Sequence, residues 1–506
     1  MSQNNLEGYK MQKEILDIIK NQKLEQYQKV ISLARIAENN LDVLDLNIKE
    51  KNMLEKGIVC DLSEGNAPYR PRYNLVDFEK FMQQGSSFLD LKPPRNLSEA
   101  INSLLILYKH VPSVTTFPVY IGNIDMILNP FIEDEKEALL LIKLFLTHID
   151  RTLPDSFVHA NIGPEATKAG KLILQAEKEL QNPIPNLSLK YSPNITSDEF
   201  ALAAIKTGLE VSKPYFANHE MYLNDFGENY GLASCYNGLP SGGGSFTLVR
   251  LNLKALAESV DSQEEFFESK LSEAIRIMNS IMDKRISFLV EKSNFFESNF
   301  LVKEGLLKLE RYSAMFGIFG LAEAVNYFMD KEDSEFRYGQ DEVANDLGRD
   351  IIKKISNIVN QHENKYCSVS DHKFLLHAQS GIGSDEGTTP GCRIPIGEEP
   401  TMYKHIKQAG KYHSYFPAGV SDIFTFDSKN RKNPLAVLDI IKGAMQTGLR
   451  MFAFYTADNE LIRITGYLVK RSEIENFKEG KVVLRDTTAL GVETLENQDL
   501  YKRKKR

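Results

Sequence analysis

Apolar residues along this chain fall into two patterns. In roughly the first 60 positions they recur every three to four residues, as in Met11, Ile15, Ile18 and Ile19 and again in Tyr27, Val30, Ile31 and Ala34. That spacing gathers them on one face of a helix and predicts an N-terminal helical region, residues 1–95. A stretch rich in proline and arginine, Ala67-Pro68-Tyr69-Arg70-Pro71-Arg72, reads as a connection within it. From about residue 100 to about 450, short apolar runs alternate with longer helical stretches, the texture of parallel strands joined by helical crossovers. Val119-Tyr120-Ile121 precedes a helix predicted over 133–148. A strand over 157–161 precedes a helix predicted from Pro164, since proline suits a first helical turn. Strand 186–191 precedes a helix opened by Thr196-Ser197-Asp198-Glu199, and strand 246–251 leads into a helix over 253–259.

The pattern therefore predicts an α/β core over residues 96–450, barrel-like, although periodicity does not separate a closed barrel from an open doubly wound sheet. Two long polar loops break it, at 231–245 and 380–400. Long ordered loops on a rigid scaffold are where sites sit.

Composition changes this picture little. The 506 residues carry a formal charge of −8 with both signs interspersed, which argues against a nucleic-acid surface. The basic run Lys502-Arg503-Lys504-Lys505-Arg506 reads as a solvated tail. No run of about 18 apolar residues occurs and the start has no secretory profile, so neither a membrane span nor export is expected, and a cytoplasmic location is. The cysteines Cys60, Cys235, Cys367 and Cys392 form no C-x-x-C pair, so no zinc ribbon or cysteine-ligated cluster is expected and the thiols should be free. A free cysteine is most often a small core residue. Cys235 differs, because it lies among glycines and small polar residues in Gly231-Leu232-Ala233-Ser234-Cys235-Tyr236-Asn237-Gly238. Cys392, in Thr388-Thr389-Pro390-Gly391-Cys392-Arg393, is the alternative reactive thiol; Cys60 and Cys367 read as structural.

Near the C-terminus stands Arg463-Ile464-Thr465-Gly466-Tyr467, behind the apolar stretch 451–455. By pattern alone Gly466 is a turn glycine between strands. The five residues, however, resemble the R-V-x-G-Y motif of the glycyl radical enzymes, with Ile464 as a volume-conserving change. The likeness continues through Leu468-Val469-Lys470-Arg471 to Val482-Val483-Leu484-Arg485-Asp486-Thr487. Chain length, the stretch Ser380-Gly381-Ile382-Gly383-Ser384-Asp385-Glu386-Gly387-Thr388-Thr389-Pro390-Gly391 and the glycine motif together resemble the YjjI-type members over nearly the whole chain.

The resemblance implies a barrel of two half-barrels of parallel strands surrounded by helices, with 451–506 as the glycyl radical segment. It implies a radical stored on Gly466 and passed to Cys235, a thiol on a mid-chain loop inside the barrel. It further implies a partner activase that uses S-adenosylmethionine and an iron–sulfur cluster, a small polar substrate, anaerobic operation, and no stably bound cofactor or metal beyond the radical modification. A homodimer is left open. Glycine suits the role because a planar backbone radical tolerates no Cβ.

Other branches fit less well. The four-cysteine zinc site of anaerobic ribonucleotide reductases is missing, Cys235 is followed by Tyr236 rather than a second cysteine, and Asn237 stands where the larger lyases carry a glutamate. The loop 379–389 offers acids and hydroxyls to a polar substrate, or is a solvated loop. His413 reads as a proton carrier or as a satisfied buried histidine. Without the resemblance, the same residues fit a non-radical α/β protein that binds a phosphate-containing ligand at Gly242-Gly243-Gly244, although the P-loop Lys-Ser/Thr is missing.

Overall fold

The computed structural model describes residues 3–39, 41–60, 64, 68–114, 117–153, 155–378, 387–464, 466–484 and 503–506. Fourteen strands follow one another among these residues: β1 (Val59–Cys60), β2 (Tyr73–Leu75), β3 (His159–Ile162), β4 (Asn186–Tyr191), β5 (Tyr215–Asn218), β6 (Tyr230–Ala233), β7 (Asn237–Pro240), β8 (Gly243–Asn252), β9 (Tyr312–Phe319), β10 (Leu375–Ala378), β11 (Asp422–Phe426), β12 (Met451–Thr456), β13 (Leu461–Arg463) and β14 (Leu468–Lys470).

They build two five-stranded sheets and two hairpins. In the first sheet β8, β9 and β10 run parallel, while β1 and β2 from the N-terminal 95 residues pair antiparallel with β8. In the second, β3, β4 and β5 run parallel and meet the parallel pair β11 and β12 through an antiparallel β5–β12 contact. These strands are buried almost throughout; some read in sequence as apolar runs, as β12 does, while β3 and β4 alternate because their polar side chains find partners inside the molecule. Helices Glu135–Thr152, Lys168–Leu180, Asp198–Val211 and Pro434–Gln446 pack over the second sheet, and Leu271–Glu291, Leu321–Lys331 and Glu342–Val359 over the first.

The expected elements appear with shifted edges. The helix predicted over 133–148 is Glu135–Thr152, with Asp134 as its cap. The one predicted from Pro164 begins at Lys168, because the Thr167 hydroxyl accepts from Gly170 N–H at 2.9 Å and sets the first turn three residues later. Val119-Tyr120-Ile121 runs alongside β3 without becoming a named strand, Ile121 N–H donating to His159 O at 2.9 Å. Among the described residues no helix is long and apolar enough to cross a membrane.

Residues 231–245 are not an irregular loop. β6 and β7 form a hairpin whose tip is Ser234-Cys235-Tyr236, and β8 follows at once. The triglycine serves that tight passage. A Cβ at Gly243 would lie 2.0 Å from Arg311 O, and one at Gly244, which holds a φ of +147°, would lie 2.0 Å from Tyr73 O. Gly242 N–H already donates to Leu75 O at 2.7 Å. Gly243 and Gly244 are thus strand backbone pressed between neighbours, and Gly242 is the turn before them with its N–H already used, which removes the geometry a phosphate cradle needs.

Candidate active site

Two hairpin tips meet inside the molecule. Gly466 lies in the turn between β13 and β14, closed by an Ile464 N–H to Tyr467 O bond of 3.1 Å. A Cβ built on Gly466 would lie 2.0 Å from Cys235 Cβ, 2.7 Å from its Cα and 2.8 Å from its Sγ. No side chain fits there, and the three nearest atoms all belong to Cys235. Cys392 does not share this contact. It is buried in the core around the first sheet, and its carbonyl accepts from the Tyr338 hydroxyl at 2.6 Å. Cys367 is buried in the same core, and Cys60 donates to Gly57 O at 3.2 Å.

Burial raises the Cys235 thiol to about 12, although Ser234, Arg393 and the Gly466 N–H each pull in the other direction. At neutral pH the group is therefore S–H. A nucleophile or metal ligand would need the thiolate, whereas donation of a hydrogen atom needs the thiol.

The cysteine hairpin is fixed by buried polar side chains on the strands around it. His159 and Asn161, two apart on β3 and so on one face, both reach it. Asn161 donates to Leu232 O at 2.9 Å and accepts from Leu232 N–H at 2.8 Å. His159 Nδ1 bonds Ser234 O at 2.6 Å, and its Nε2 bonds Ser188 Oγ at 2.8 Å. Burial lowers the His159 imidazole to about 3, so it is neutral. Ser234 N–H donates to Val119 O at 2.9 Å, and Ser234 itself holds a φ of +57°. A left-handed serine next to Cys235 is the kind of strain that surrounding contacts must enforce. On the other side, Asn237 Oδ1 meets His377 Nε2 at 2.5 Å, and the Tyr236 hydroxyl donates to Ala378 O at 2.9 Å. The tip is thereby tied to both sheets.

The glycine hairpin is held differently. The Tyr215 hydroxyl donates a short hydrogen bond to Gly466 O, and burial keeps that phenol far above its ordinary titration. Arg463 spreads over the Tyr215 ring at 3.7 Å and donates to Ser212 O. Burial lowers the Arg463 guanidinium to about 10, which leaves it charged at neutral pH. Arg503 donates to Arg463 O and Ile464 O, both at 3.0 Å.

This last contact corrects the expectation for the basic run. Of its described residues, Arg503 is buried and Arg506 half-buried, while Lys504 and Lys505 are exposed. Arg503 is 9% exposed, Lys504 donates to Glu399 O at 2.7 Å, and Arg506 bonds Thr425 O through its N–H at 2.8 Å and Pro400 O through its guanidinium at 2.6 Å. Charge alone predicts solvation, but guanidinium and ammonium groups also cap free carbonyls.

His413 proves to be the satisfied buried histidine. Its Nε2 meets Asp422 Oδ2 at 3.1 Å and its Nδ1 accepts from Arg450 N–H at 2.9 Å. Of the loop 379–389, residues 379–386 lie outside the described residues. Sequence reasoning missed Tyr215, His159, Asn161, His377, Arg393 and Arg503. The signal for His159 and Asn161 was present: polar residues at alternate positions of an otherwise apolar strand share a face and need partners there.

Comparison with known proteins matches residues 24–506 to the family described as glycyl radical enzyme YjjI-like. A protein of Haemophilus influenzae, described as uncharacterized, is 46% identical over 499 residues, 97% of each chain. The Escherichia coli K12 protein YjjI, also described as uncharacterized, is 42% identical over 500 residues, 98% of this chain and 96% of that one. Among solved structures, hydroxyproline dehydratase from Clostridioides difficile superposes with a TM-score of 0.68 at 12% identity, covering 98% of this chain and 88% of that one. The B12-independent glycerol dehydratase of Clostridium butyricum superposes at 0.65 and 12% identity, covering 91% and 86%. An anaerobic ribonucleotide reductase of Thermotoga maritima superposes at 0.64 and 13%, covering 93% and 89%. At such identities the likeness speaks for the fold alone: the glycyl radical enzyme barrel.

Proposed function

The chain belongs to the YjjI-like family of glycyl radical enzymes, and on that premise we propose that Gly466 stores the radical and Cys235 is the thiol that meets substrate. The observation that carries this reading is the contact of the two tips, where Gly466 leaves room for nothing but Cys235. The neutral, buried thiol supports it too, since hydrogen-atom transfer moves a proton and an electron together and leaves no charge in a low-dielectric site.

The steps balance as hydrogen-atom exchanges. A radical S-adenosylmethionine activase removes one hydrogen atom from Gly466 Cα, and that chemistry is the activase's own. Gly466 Cα then takes the hydrogen atom of the Cys235 thiol: a C–H bond forms, the S–H bond breaks, and the unpaired electron moves to sulfur. The thiyl takes a hydrogen atom from a C–H of a small polar substrate and returns one to the product radical. Tyr215, hydrogen-bonded to Gly466 O, orients the peptide that carries the spin. Burial of both tips keeps oxygen and water from the radical, consistent with anaerobic operation in the cytoplasm.

The test is an EPR spectrum of protein activated without air by its radical S-adenosylmethionine activase. A doublet near the free-electron g value, absent from Gly466→Ala, is expected; air should then cut the chain at Gly466. No doublet from an activase shown to cleave S-adenosylmethionine would overturn the reading.

A further inference from the structure

We propose that the substrate carries a small oxyanion, a carboxylate or a phosphate, and that Arg393 binds it beside Cys235; this rests on Cys235 being the thiol that meets substrate. Four of the buried cations are matched by carboxylates at ion-pair distance. Arg72 and Arg285 share Glu64 at 3.0 Å each, Lys213 meets Glu177 at 2.6 Å, and Arg450 meets Asp225 at 2.6 Å.

Arg393, next to the thiol, has no such match. It is 8% exposed, and no described carboxylate pairs with it. Its Nε donates to Ser421 O at 2.7 Å and its Nη2 to Ser421 Oγ at 2.8 Å, which fixes the plane of the guanidinium and leaves Nη1 without a hydrogen bond among the described residues. The guanidinium lies 5.4 Å from the ring centre of Tyr236, the residue after Cys235, and its charge acts on Cys235, Tyr215 and His377.

Two other guanidiniums in this region also have no carboxylate at ion-pair distance among the described residues, but they are engaged. Arg463 covers Tyr215, and Arg503 caps two carbonyls. Arg393 is therefore a buried cation with no ion-pair partner among the described residues, and such a cation is costly unless a ligand supplies the counter-charge. A second polar group has the same need. His377 stacks on Tyr236 at 5.5 Å and meets Asn237 through Nε2, yet its buried Nδ1 has no partner. With Nε2–H donating to Asn237 Oδ1, Nδ1 is an acceptor suited to a hydroxyl. An oxyanion for Arg393 and a hydroxyl for His377 describe a hydroxy acid or the phosphate ester of a polyol.

The test is calorimetric titration of the unactivated protein with glycolate and lactate, with glycerol 3-phosphate and inorganic phosphate, and with the neutral glycerol and 1,2-propanediol. Saturable binding of at least one oxyanion, tighter than that of the neutral compounds, is expected. Arg393→Gln should weaken it roughly ten- to hundredfold, the loss of one or two charge-assisted bonds. Arg393→Lys keeps the charge without the planar fork, so it should retain phosphate better than carboxylate and covers the case in which the glutamine variant misfolds. Neutral compounds binding as well as the anions, no saturable anion binding, or unchanged affinity in a folded Arg393→Gln would overturn the proposal. EPR of the activated wild-type protein reads the radical step separately. A missing doublet beside Arg393-dependent anion binding would sink the radical reading and leave the anion site standing.

Discussion

The cysteine hairpin and the glycine hairpin have the same outline, two short strands and a tip, but are anchored by opposite means. The first is bonded into both sheets by side chains that leave it no alternative partner: Asn161 closes two bonds on Leu232, His159 takes Ser234 O, and Asn237 takes His377. The second, like the first, pairs only with itself in its strands. It is secured by side chains that cap its carbonyls from outside, namely Tyr215, Arg503 and the Ser212 hydroxyl on Leu461 O at 2.6 Å. One hairpin is built as a fixed part and the other as a docked one. That division suits the roles proposed for them, a radical store charged by an outside enzyme and a thiol aimed at substrate.

The largest break in the comparison comes at Gly466. Alanine there should remove the glycyl EPR doublet entirely and, by overpacking against Cys235, destabilise the fold by about 1–3 kcal/mol in urea unfolding. Cys235→Ser separates the two tips: the doublet should persist while turnover falls by a factor of about 10³ or more, since removing the group that makes the bond change removes the chemical step. Cys392→Ser should keep both. Loss of turnover with Cys392→Ser and not with Cys235→Ser would reverse the assignment.

A third change probes the fixed part. Asn161→Leu leaves the Leu232 N–H and C=O buried without partners and should cost about 2–4 kcal/mol, read from the shift in the urea midpoint. pH probes it more gently. His159 and His377 titrate near 3 when folded, both lowered by burial, against an ordinary 6.5. Their contribution is complete above pH 6.5 and falls away as the pH drops toward 3, because the unfolded chain takes up the protons first. At pH 5 each should cost roughly 2 kcal/mol relative to pH 7, and His159→Asn should flatten the loss by about half. The smallest effect belongs to the docked part. Arg503→Ala should lower global stability by only about 1 kcal/mol, yet speed hydrogen exchange over 461–470 and the rate of radical installation.

Much of the barrel was legible because strand-like stretches recur between helical ones; β12 shows as an apolar run, and β4 as an alternating one. The glycine motif was legible because its chemistry permits no substitute. What escaped was whatever depends on a partner distant in sequence. The hairpin around Cys235 looked like a loop because glycines and serine lower strand propensity, while its order comes from β3 and β10. The basic run looked solvated because its acceptors, the carbonyls of residues 463 and 464, carry no side-chain signature. Arg393 drew no notice for the same reason: its meaning lies in the carboxylate it lacks.

The docking of residues 503–506 has one more consequence. Arg503 grips the glycine hairpin, while Arg506 grips Thr425 on β11 and Pro400. The tail is thus a tethered ligand for the hairpin, and tethering of this kind corresponds to an effective concentration on the order of millimolar. On the proposed function, an activase that draws Gly466 out would have to bind the freed hairpin tightly enough to win that competition, so its apparent affinity would depend on Arg503 and Arg506.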